Sequence, residues 1–274
     1  MSVNVNVSVF IAGILDPKWP IADLRLSDGA PGLRHSSGMN PALARKLSPF
    51  DEAAIECALK LRDADTGTKL EFIVAGEDGS DALMRTVAAF RPHRLRGVSM
   101  PRECFWDAQA LALQLAKCID DGPDACDLVL VGREFGDYDD GTLAPCLAEA
   151  SGRALVGLIQ EVRVDGADLV FMRERNQARE LIRQTPGVVA SVTNAKSNRL
   201  RHPLMKNVMA AKRESIEVAR LDVDLGAVRR RASSVTEAIA KSRGDAACRM
   251  LTGTPDQQAD GLLAYLRNLE LVGP

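Results

Sequence analysis

Short apolar runs alternate with amphipathic stretches along the first half of this chain, and the alternation limits the folds it can adopt. Residues 5–12, 69–74, 95–99 and 127–132 are predicted strands, and helices are predicted to begin near residues 48, 81 and 106. The pair Ser48 and Pro49 is typical of a helix start, since serine caps the first turn and proline fits the first helical position. Strands and helices in this order predict an α/β fold, a mostly parallel, doubly wound sheet with helices on both faces.

The second half of the chain predicts an added β-hairpin and a helical tail. Strands are expected at 154–159 and 188–192, and the hairpin arms at 161–164 and 168–173. Further helices are expected at 143–151, 235–242 and 255–269. The last of these has the capping-box residues Thr254 and Gln257 and an apolar stripe, which must be buried on its own sheet or on another subunit.

Composition excludes several classes of protein. With 46% hydrophobic and 26% charged residues, the chain can bury a core and is not expected to be disordered. Its net charge of -2 gives no global attraction to nucleic acid or anionic membranes. Apolar runs are far shorter than the ~20 residues that cross a bilayer. The first residues also lack a signal-peptide pattern, so we expect a cytoplasmic location.

The cysteines and histidines do not form a recognisable metal-binding pattern. The six cysteines show no CxxC spacing, and the three histidines are equally scattered. Zinc and iron–sulfur sites are therefore not expected, and the cysteines are interpreted mainly as small buried hydrophobic residues.

Glycines follow three of the predicted strands, where ligands of such sheets bind. Gly13, Gly76 and Gly132 come at or directly after the carboxyl ends of strands 5–12, 69–74 and 127–132. Ordinary turns use glycine just as often, and neither GxGxxG nor a P-loop is present. A Rossmann dehydrogenase and a P-loop phosphotransferase are thus poorly supported.

An acidic loop at residues 137–140 leads into the helix at 143–151. The backbone N–H groups at this helix start could hold a phosphate. Alternatively, Asp139 or Asp140 caps the helix, or the acidic cluster holds Mg²⁺.

Residues 196–213, the basic segment, contain six cations and no acidic residue. One interpretation is a solvated basic loop. The other is a docking surface, in which the cations attract an acidic partner and a leucine or methionine supplies a dry contact. RNA binding is disfavoured because the segment has no aromatic side chain for base stacking.

Three motifs resemble the beta subunit of electron transfer flavoproteins. The basic segment is similar to the family pattern N-x-P-R-Y-P-S-L-P-N-I-M-K-A-K. The matching positions are Asn198, Arg201, Pro203, Asn207, Met209, Ala211 and Lys212. Residues 48–52 resemble N-P-F-D-E, and residues 137–149 resemble D-G-D-T-A-Q-V-G-P-Q-L-A-E. The motifs occur in the family's order and the resemblance covers nearly the whole chain.

The resemblance implies an electron carrier subunit and not an enzyme. The family forms a heterodimer in which an alpha subunit holds most of the FAD. The FAD carries electrons from dehydrogenases to a quinone oxidoreductase or another acceptor. The implied fold is the adenine-nucleotide-binding α/β type, with residues 1–213 as the core and 214–274 as an arm that packs on the alpha subunit. Most family members also bind AMP in the beta subunit.

The resemblance also implies the site residues. Trp19 and Phe50 fall where the family flanks FAD with aromatic side chains. The implied nucleotide-binding residues are Ala12, Ser48, Ala75, Gly76, Gly132, Asp137, Asp139, Gly141, Thr142 and Leu143. The implied partner-binding residues are Arg201, Leu204, Met205, Lys206, Met209 and Arg213.

Departures from the family pattern leave alternatives open. Thr142, Leu143 and Ala144 replace the family's Q-[TV]-G, which removes an amide donor and a glycine from the expected phosphate site. Met205 replaces the family's docking leucine with nearly equal volume. One alternative is a bifurcating relative with a second FAD and NADH input. Another is an adenosine-nucleotide sensor or hydrolase.

Overall fold

The computed structural model describes residues 4–16, 24–26, 33–35, 45–65, 67–76, 81–119, 125–223 and 250–269. The chain divides into two compact units, Met1–Arg230 and Arg231–Pro274. The described strands are β1 (Asn6–Ile11), β2 (Ile14–Leu15), β3 (Leu24–Leu26), β4 (Leu33–His35), β5 (Arg45–Lys46), β6 (Lys69–Gly76), β7 (Arg94–Ser99), β8 (Leu128–Gly132), β9 (Ala154–Ile159), β10 (Glu161–Asp165), β11 (Asp168–Arg175), β12 (Ala178–Gln184), β13 (Val188–Val192) and β14 (Glu217–Arg220). The described α-helices are α1 (Pro49–Ala64), α2 (Asp81–Ala88), α3 (Ala108–Ala116), α4 (Leu143–Ser151), α5 (Met205–Ala211) and α6 (Pro255–Asn268).

A seven-stranded sheet forms the centre of the first unit. Its strand order is β14-β7-β6-β1-β8-β13-β9, and every neighbouring pair is parallel. Parallel neighbours need crossover connections, and the helices between the strands supply them. The predicted α/β class with a mostly parallel sheet is therefore confirmed.

Alternate residues of β1 enter two different hydrophobic cores. Val7, Val9 and Ile11 belong to a core shared with α1 and α2, whereas Phe10 belongs to a core shared with α3 and α4. Successive side chains of a strand point to opposite faces of the sheet, so a strand that is buried on both faces contributes to both cores in turn. The helices thus cover both sides of the sheet and hold its carboxyl edge in place.

The start of α1 follows from its sequence. Ser48 is the N-cap, and its side chain accepts a hydrogen bond from the backbone N–H of Asp51 at 2.9 Å. In return, the Asp51 carboxylate accepts the backbone N–H of Ser48 at 2.9 Å, which completes a capping box. The helix start predicted at Ser48 and Pro49 is confirmed.

A three-stranded antiparallel sheet, β10-β11-β12, packs beside α1. Its side chains Val162, Leu169 and Phe171 enter the same core as α1. The predicted hairpin is confirmed as β10 and β11, but β12 was not predicted. Its sequence mixes charged and apolar residues, and Leu181 at its centre is 64% exposed, so no buried face marks it as a strand.

Two further elements differ from the predictions. The helix expected at 106–119 begins only at Ala108, because Asp107 caps it by accepting the N–H groups of Gln109 and Ala110. Residues Arg102–Trp106 form a 3₁₀ turn instead. The basic segment is also more than a loop, since it contains a 3₁₀ turn, Lys196–Asn198, and helix α5.

The connection from β13 to β14 crosses most of the sheet. It passes the four strands β8, β1, β6 and β7 before β14 pairs with β7 at the far edge. The basic segment forms the greater part of this connection. Strand β14 follows residue 213 and pairs with β7, so residues beyond 213 contribute to the sheet. The domain division at residue 213 stays a prediction.

The second unit contains α6, which begins as its sequence predicts. The Thr254 side chain accepts the backbone N–H of Gln257, and the Gln257 side chain accepts the backbone N–H of Thr254. Its apolar side chains Leu262, Leu263 and Tyr265 are exposed. The predicted C-terminal helix is confirmed, whereas the helix predicted at 235–242 lies outside the described residues.

Replacing Gly132 with alanine is expected to destabilise the first unit. A Cβ at Gly132 would lie 2.8 Å from the Cβ and 2.9 Å from the backbone carbon of Phe50, and neither atom can move without shifting α1. We expect Gly132→Ala to lower the free energy of unfolding in urea by about 1–3 kcal/mol.

Gly157→Ala is the matched control for this substitution. A Cβ there would meet no described atom closer than the Ser191 Oγ at 3.8 Å. Equal unfolding free energies for the two variants would contradict the close packing of β8 against α1.

Candidate functional site

The carboxyl ends of β1, β6 and β8 lie side by side, and together with the start of α1 and the loop 133–142 they form what we call the strand-end site. Strand β1 pairs with β6 on one side and with β8 on the other, so the chain reverses its direction of winding between β1 and β8. Ligands of open α/β sheets bind at such a reversal, outside the carboxyl ends of the strands. Ala12, Ala75, Gly76 and Gly132 lie at these ends.

Phe50 lies in the first turn of α1 with its backbone against Gly132. The residue is half-buried, and the absence of a side chain at Gly132 is what allows this close approach. Part of the Phe50 aromatic side chain is therefore exposed, and the contact with the sheet at Gly132 fixes its position.

The carboxylate of Asp51 connects α1 to the end of β1. It is fully buried and accepts backbone N–H groups from Ser48 at 2.9 Å and from Gly13 at 3.2 Å. Burial raises the pKa of Asp51 above its ordinary value of 3.8, and the hydrogen bonds from Ser48 and Gly13 offset part of that rise. Gly13 itself has a φ of +65°, which favours glycine at this turn.

Asp137 is held by two groups from the short β2–β5 ribbon. Its carboxylate accepts the backbone N–H of Leu15 at 2.9 Å and pairs with the Arg45 guanidinium at 3.0 Å. The same guanidinium donates to the backbone oxygen of Gly13 at 3.3 Å. Sequence reasoning missed Arg45, because no local pattern connects it with a carboxylate so distant in the chain. Arg45 brings a positive charge to the strand-end site.

Asp139 caps the start of α4. One carboxylate oxygen accepts the backbone N–H groups of Gly141, Thr142 and Leu143 at 2.9–3.2 Å, and the other accepts that of Phe135 at 3.1 Å. Thr142 occupies the N-cap position of α4 without a side-chain capping hydrogen bond, and the Asp139 carboxylate binds the N–H groups that lead into the helix in its place. The N–H groups expected to hold a phosphate are engaged by this carboxylate.

The basic segment is fixed to one face of α1 at its beginning. The buried side chain of Asn198 donates to the backbone oxygen of Gln160 at 2.6 Å and accepts from Lys60 at 3.1 Å. The Arg201 guanidinium binds Glu56 and Asp63. The hydrogen bond to Glu56 is the main cause that raises the pKa of Arg201 above its ordinary value. Arg201, expected to bind a partner, is thus bound within the chain.

The middle of the basic segment exposes apolar side chains. Leu204 is 61% exposed, Met205 74% and Met209 49%. Met205 and Met209 are four residues apart on α5 and therefore share one face of this helix. Lys206 and Arg213, the other residues expected to bind a partner, are exposed beside them. Neighbouring exposed apolar side chains among cations are typical of a protein-binding surface.

The remaining expectations concern Trp19, metal binding and membrane-spanning helices. Trp19 lies outside the described residues. Within the described part of the chain, no group of three or more His, Cys, Asp or Glu residues could hold a metal ion. No helix in those same residues is long and apolar enough to span a bilayer.

Comparison with known proteins identifies a family model and several relatives. The model described as "Electron transfer flavoprotein domain" matches residues 41–224. The electron transfer flavoprotein subunit beta of Syntrophomonas wolfei is 26% identical over 219 residues, which cover 79% of this chain and 80% of that protein. The Bacillus subtilis subunit beta is 26% identical over 226 residues, with coverage of 81% and 86%. That of Megasphaera elsdenii is 27% identical over 177 residues, with coverage of 62% and 64%.

Replacing Asp51 with asparagine is expected to flatten the pH dependence of stability. Because the folded state raises the pKa of Asp51, it holds the proton more tightly than the unfolded chain does. Ionisation therefore favours unfolding as the pH rises above about 4. Asp51→Asn keeps an acceptor oxygen but cannot ionise, so its unfolding free energy relative to wild type should increase as the pH rises above about 4.

Urea unfolding at several pH values measures this difference. Asp51→Ala, which removes the acceptor as well, should be less stable than Asp51→Asn at every pH. A difference between Asp51→Asn and wild type that does not change with pH would contradict the raised pKa.

Proposed function

The chain belongs to the electron transfer flavoprotein family and resembles its beta subunits, and we propose that it acts as one half of a two-chain electron carrier. In this proposal an alpha subunit holds most of the FAD. The complex accepts electrons from donor dehydrogenases and passes them toward a quinone oxidoreductase. The chain itself is a carrier subunit and performs no separate catalysis.

The observation that carries this proposal is the firmly held, exposed apolar surface of the basic segment. Leu204, Met205 and Met209 project from a backbone that α1 fixes through the contacts of Lys60 with Asn198 and of Glu56 with Arg201. An exposed methionine adapts to differently shaped partners, and cations nearby increase the rate of encounter with an acidic surface. These properties suit a carrier that must bind several dehydrogenases briefly.

Phe50, in the first turn of α1, suits the edge of a flavin that an alpha subunit holds. Phe50 is half-buried and fixed against Gly132, so it can exclude water beside the cofactor while the alpha subunit holds the rest. When bound, FAD supplies the redox chemistry, and the chain contributes an apolar wall. Trp19 remains a second proposed wall residue.

The strand-end site fits AMP in part. Ala12, Ala75 and Gly76 offer backbone at the strand ends, and the carboxylate of Asp137 suits ribose hydroxyl groups. The N–H groups of Gly141, Thr142 and Leu143, however, are bound by Asp139, with which a phosphate would compete. AMP is the ligand that we propose for this site, with Ser48 and Gly132 completing its surroundings.

The C-terminal arm is proposed to bind the alpha subunit. Leu262, Leu263, Tyr265 and Leu269 of the second unit are between 43% and 58% exposed. A helix with so much exposed apolar surface is stabilised when that surface is covered. An alpha subunit is the partner that the family supplies.

Replacing Met205 with alanine is expected to slow electron transfer from a donor dehydrogenase. The substitution removes a side chain that is 74% exposed and should reduce the transfer rate roughly tenfold by weakening the docked complex. Flavin content should not change, because Met205 contributes little to the folded core.

Stopped-flow reduction of the complex with its alpha subunit measures that rate. Leu181→Ala is the matched control, since Leu181 is an apolar side chain that is 64% exposed on β12, which is not part of the basic segment. Equal rates for Met205→Ala and wild type would remove the docking role from the proposal.

Nucleotide analysis of the complex tests the cofactor assignment. After coexpression with the alpha subunit and denaturing release, we expect one FAD and one AMP per complex. A second FAD in place of AMP would favour the bifurcating alternative, with NADH as the electron source. A colourless chain that never binds an alpha subunit would contradict the whole proposal.

A further inference from the structure

Arg201 makes more hydrogen bonds within the chain than a docking residue needs. Its Nε lies 3.0 and 3.2 Å from the two carboxylate oxygens of Glu56, and its Nη2 lies 2.8 Å from one of them. Its backbone N–H donates to the same carboxylate at 3.1 Å. The remaining arm of the guanidinium, Nη1, binds Asp63. Both the side chain and the main chain at this position are therefore fixed.

The partner carboxylate of Glu56 is buried. Glu56 is only 5% exposed, so the loss of the Arg201 guanidinium would leave a negative charge away from water without its cation. Breaking a buried ion pair by removing one partner is strongly unfavourable. The chain at residue 201 is thus expected to stay on α1.

The contact with α1 forms a continuous row. Glu56, Lys60 and Asp63 lie four and three residues apart, which places them on one face of the helix. Lys60 donates to the backbone oxygen of Ser197 and to the Asn198 side chain, next to the contacts of Arg201. One helical face therefore fixes the basic segment at three successive points.

The other end of the basic segment is held by α2. The Arg85 guanidinium donates to the backbone oxygens of Ala211, Lys212 and Glu214, where α5 ends. A cation at a helix carboxyl end satisfies carbonyl groups that have no partner within the helix. The exposed residues Leu204 and Met205 lie between these two anchors and just after Arg201.

Charge separates Arg201 from the other cations of the basic segment. Its positive charge is offset by two carboxylates, Glu56 and Asp63, at hydrogen-bond distance. The remaining cations of the segment, Lys196, Arg199, Lys206, Lys212 and Arg213, are exposed, as is the Arg201 side chain at 39%. Attraction of an acidic partner is therefore expected to come from these residues and not from Arg201.

We propose that Arg201 is a positioning residue, which through Glu56 and Asp63 holds the basic segment so that Leu204 and Met205 face the partner dehydrogenase. This inference rests on the docking role of the proposed function and changes the role of Arg201 from partner contact to internal anchor. Glu56 is the second half of the same anchor.

Hydrogen exchange tests the anchor without a dehydrogenase. In the complex with the alpha subunit, Arg201→Gln should raise amide exchange in peptides over residues 199–213 by about tenfold. Peptides over β1 and β8 should exchange as in wild type. Arg201→Lys keeps the charge but loses the forked hydrogen bonds, so it should give a smaller increase. Unchanged exchange at 199–213, or an equal increase throughout the sheet, would overturn the inference.

Steady-state kinetics with the donor dehydrogenase used for the Met205→Ala comparison separates positioning from attraction. Arg201→Lys, which keeps the positive charge but loses the forked hydrogen bonds, should raise the KM for the complex several-fold while kcat, flavin content and the dependence of kcat/KM on ionic strength stay unchanged. Lys206→Gln, the matched control, should weaken the ionic-strength dependence and leave amide exchange unchanged.

Two results would overturn the inference in different ways. A weaker ionic-strength dependence in Arg201→Gln, without faster exchange, would make Arg201 a docking cation. Faster exchange with an unchanged KM would show that the anchor does not serve docking. If Met205→Ala also left transfer unchanged, the docking role itself would fall, whereas a slower Met205→Ala would preserve it.

Discussion

The buried carboxylate of Asp51 is the contact on which both candidate sites depend. By accepting N–H groups from Gly13 and Ser48, it fixes where α1 begins relative to the end of β1. The helix then carries Phe50 to the strand-end site and Glu56 to the basic segment. A rotation of α1 by one residue would turn the Glu56 side chain away from Arg201, since successive residues point in different directions around a helix. A single capped helix therefore helps to set the geometry of both surfaces.

Local patterns predicted the elements whose signals lie within a few residues. The alternation in β1 and the capping residues at Ser48 and Thr254 were sufficient to locate a strand and two helix starts. Pairing across the chain was not predictable in the same way. The sequence separation between Glu56 and Arg201 is 145 positions, and nothing near either residue indicates the other. The contact of Arg45 with Asp137 also joins residues that are far apart in the sequence. Strand β14 was not predicted for the same reason, because its place in the sheet depends on pairing with β7.

The motif resemblance implied a set of site residues but did not separate their physical roles. Within the basic segment, Asn198 and Arg201 match the family pattern and make internal hydrogen bonds, whereas Leu204 and Met205 depart from it and are exposed. In the acidic loop, Asp139 matches the pattern and caps α4. A residue that matches the family pattern can therefore either support a binding surface from within the chain or contact a ligand directly. Distances and burial are needed to distinguish the two.

The long crossing from β13 to β14 has a consequence for the order of folding. The basic segment is attached at both ends to strands on opposite sides of the sheet, and it rests on α1 and α2 between them. Contacts between residues so far apart in sequence form late, because the chain must first lose the entropy of closing a large loop. An incompletely folded chain would lack the exposed apolar surface of the basic segment. Under the proposed function, a partner protein would then bind only molecules whose sheet is complete.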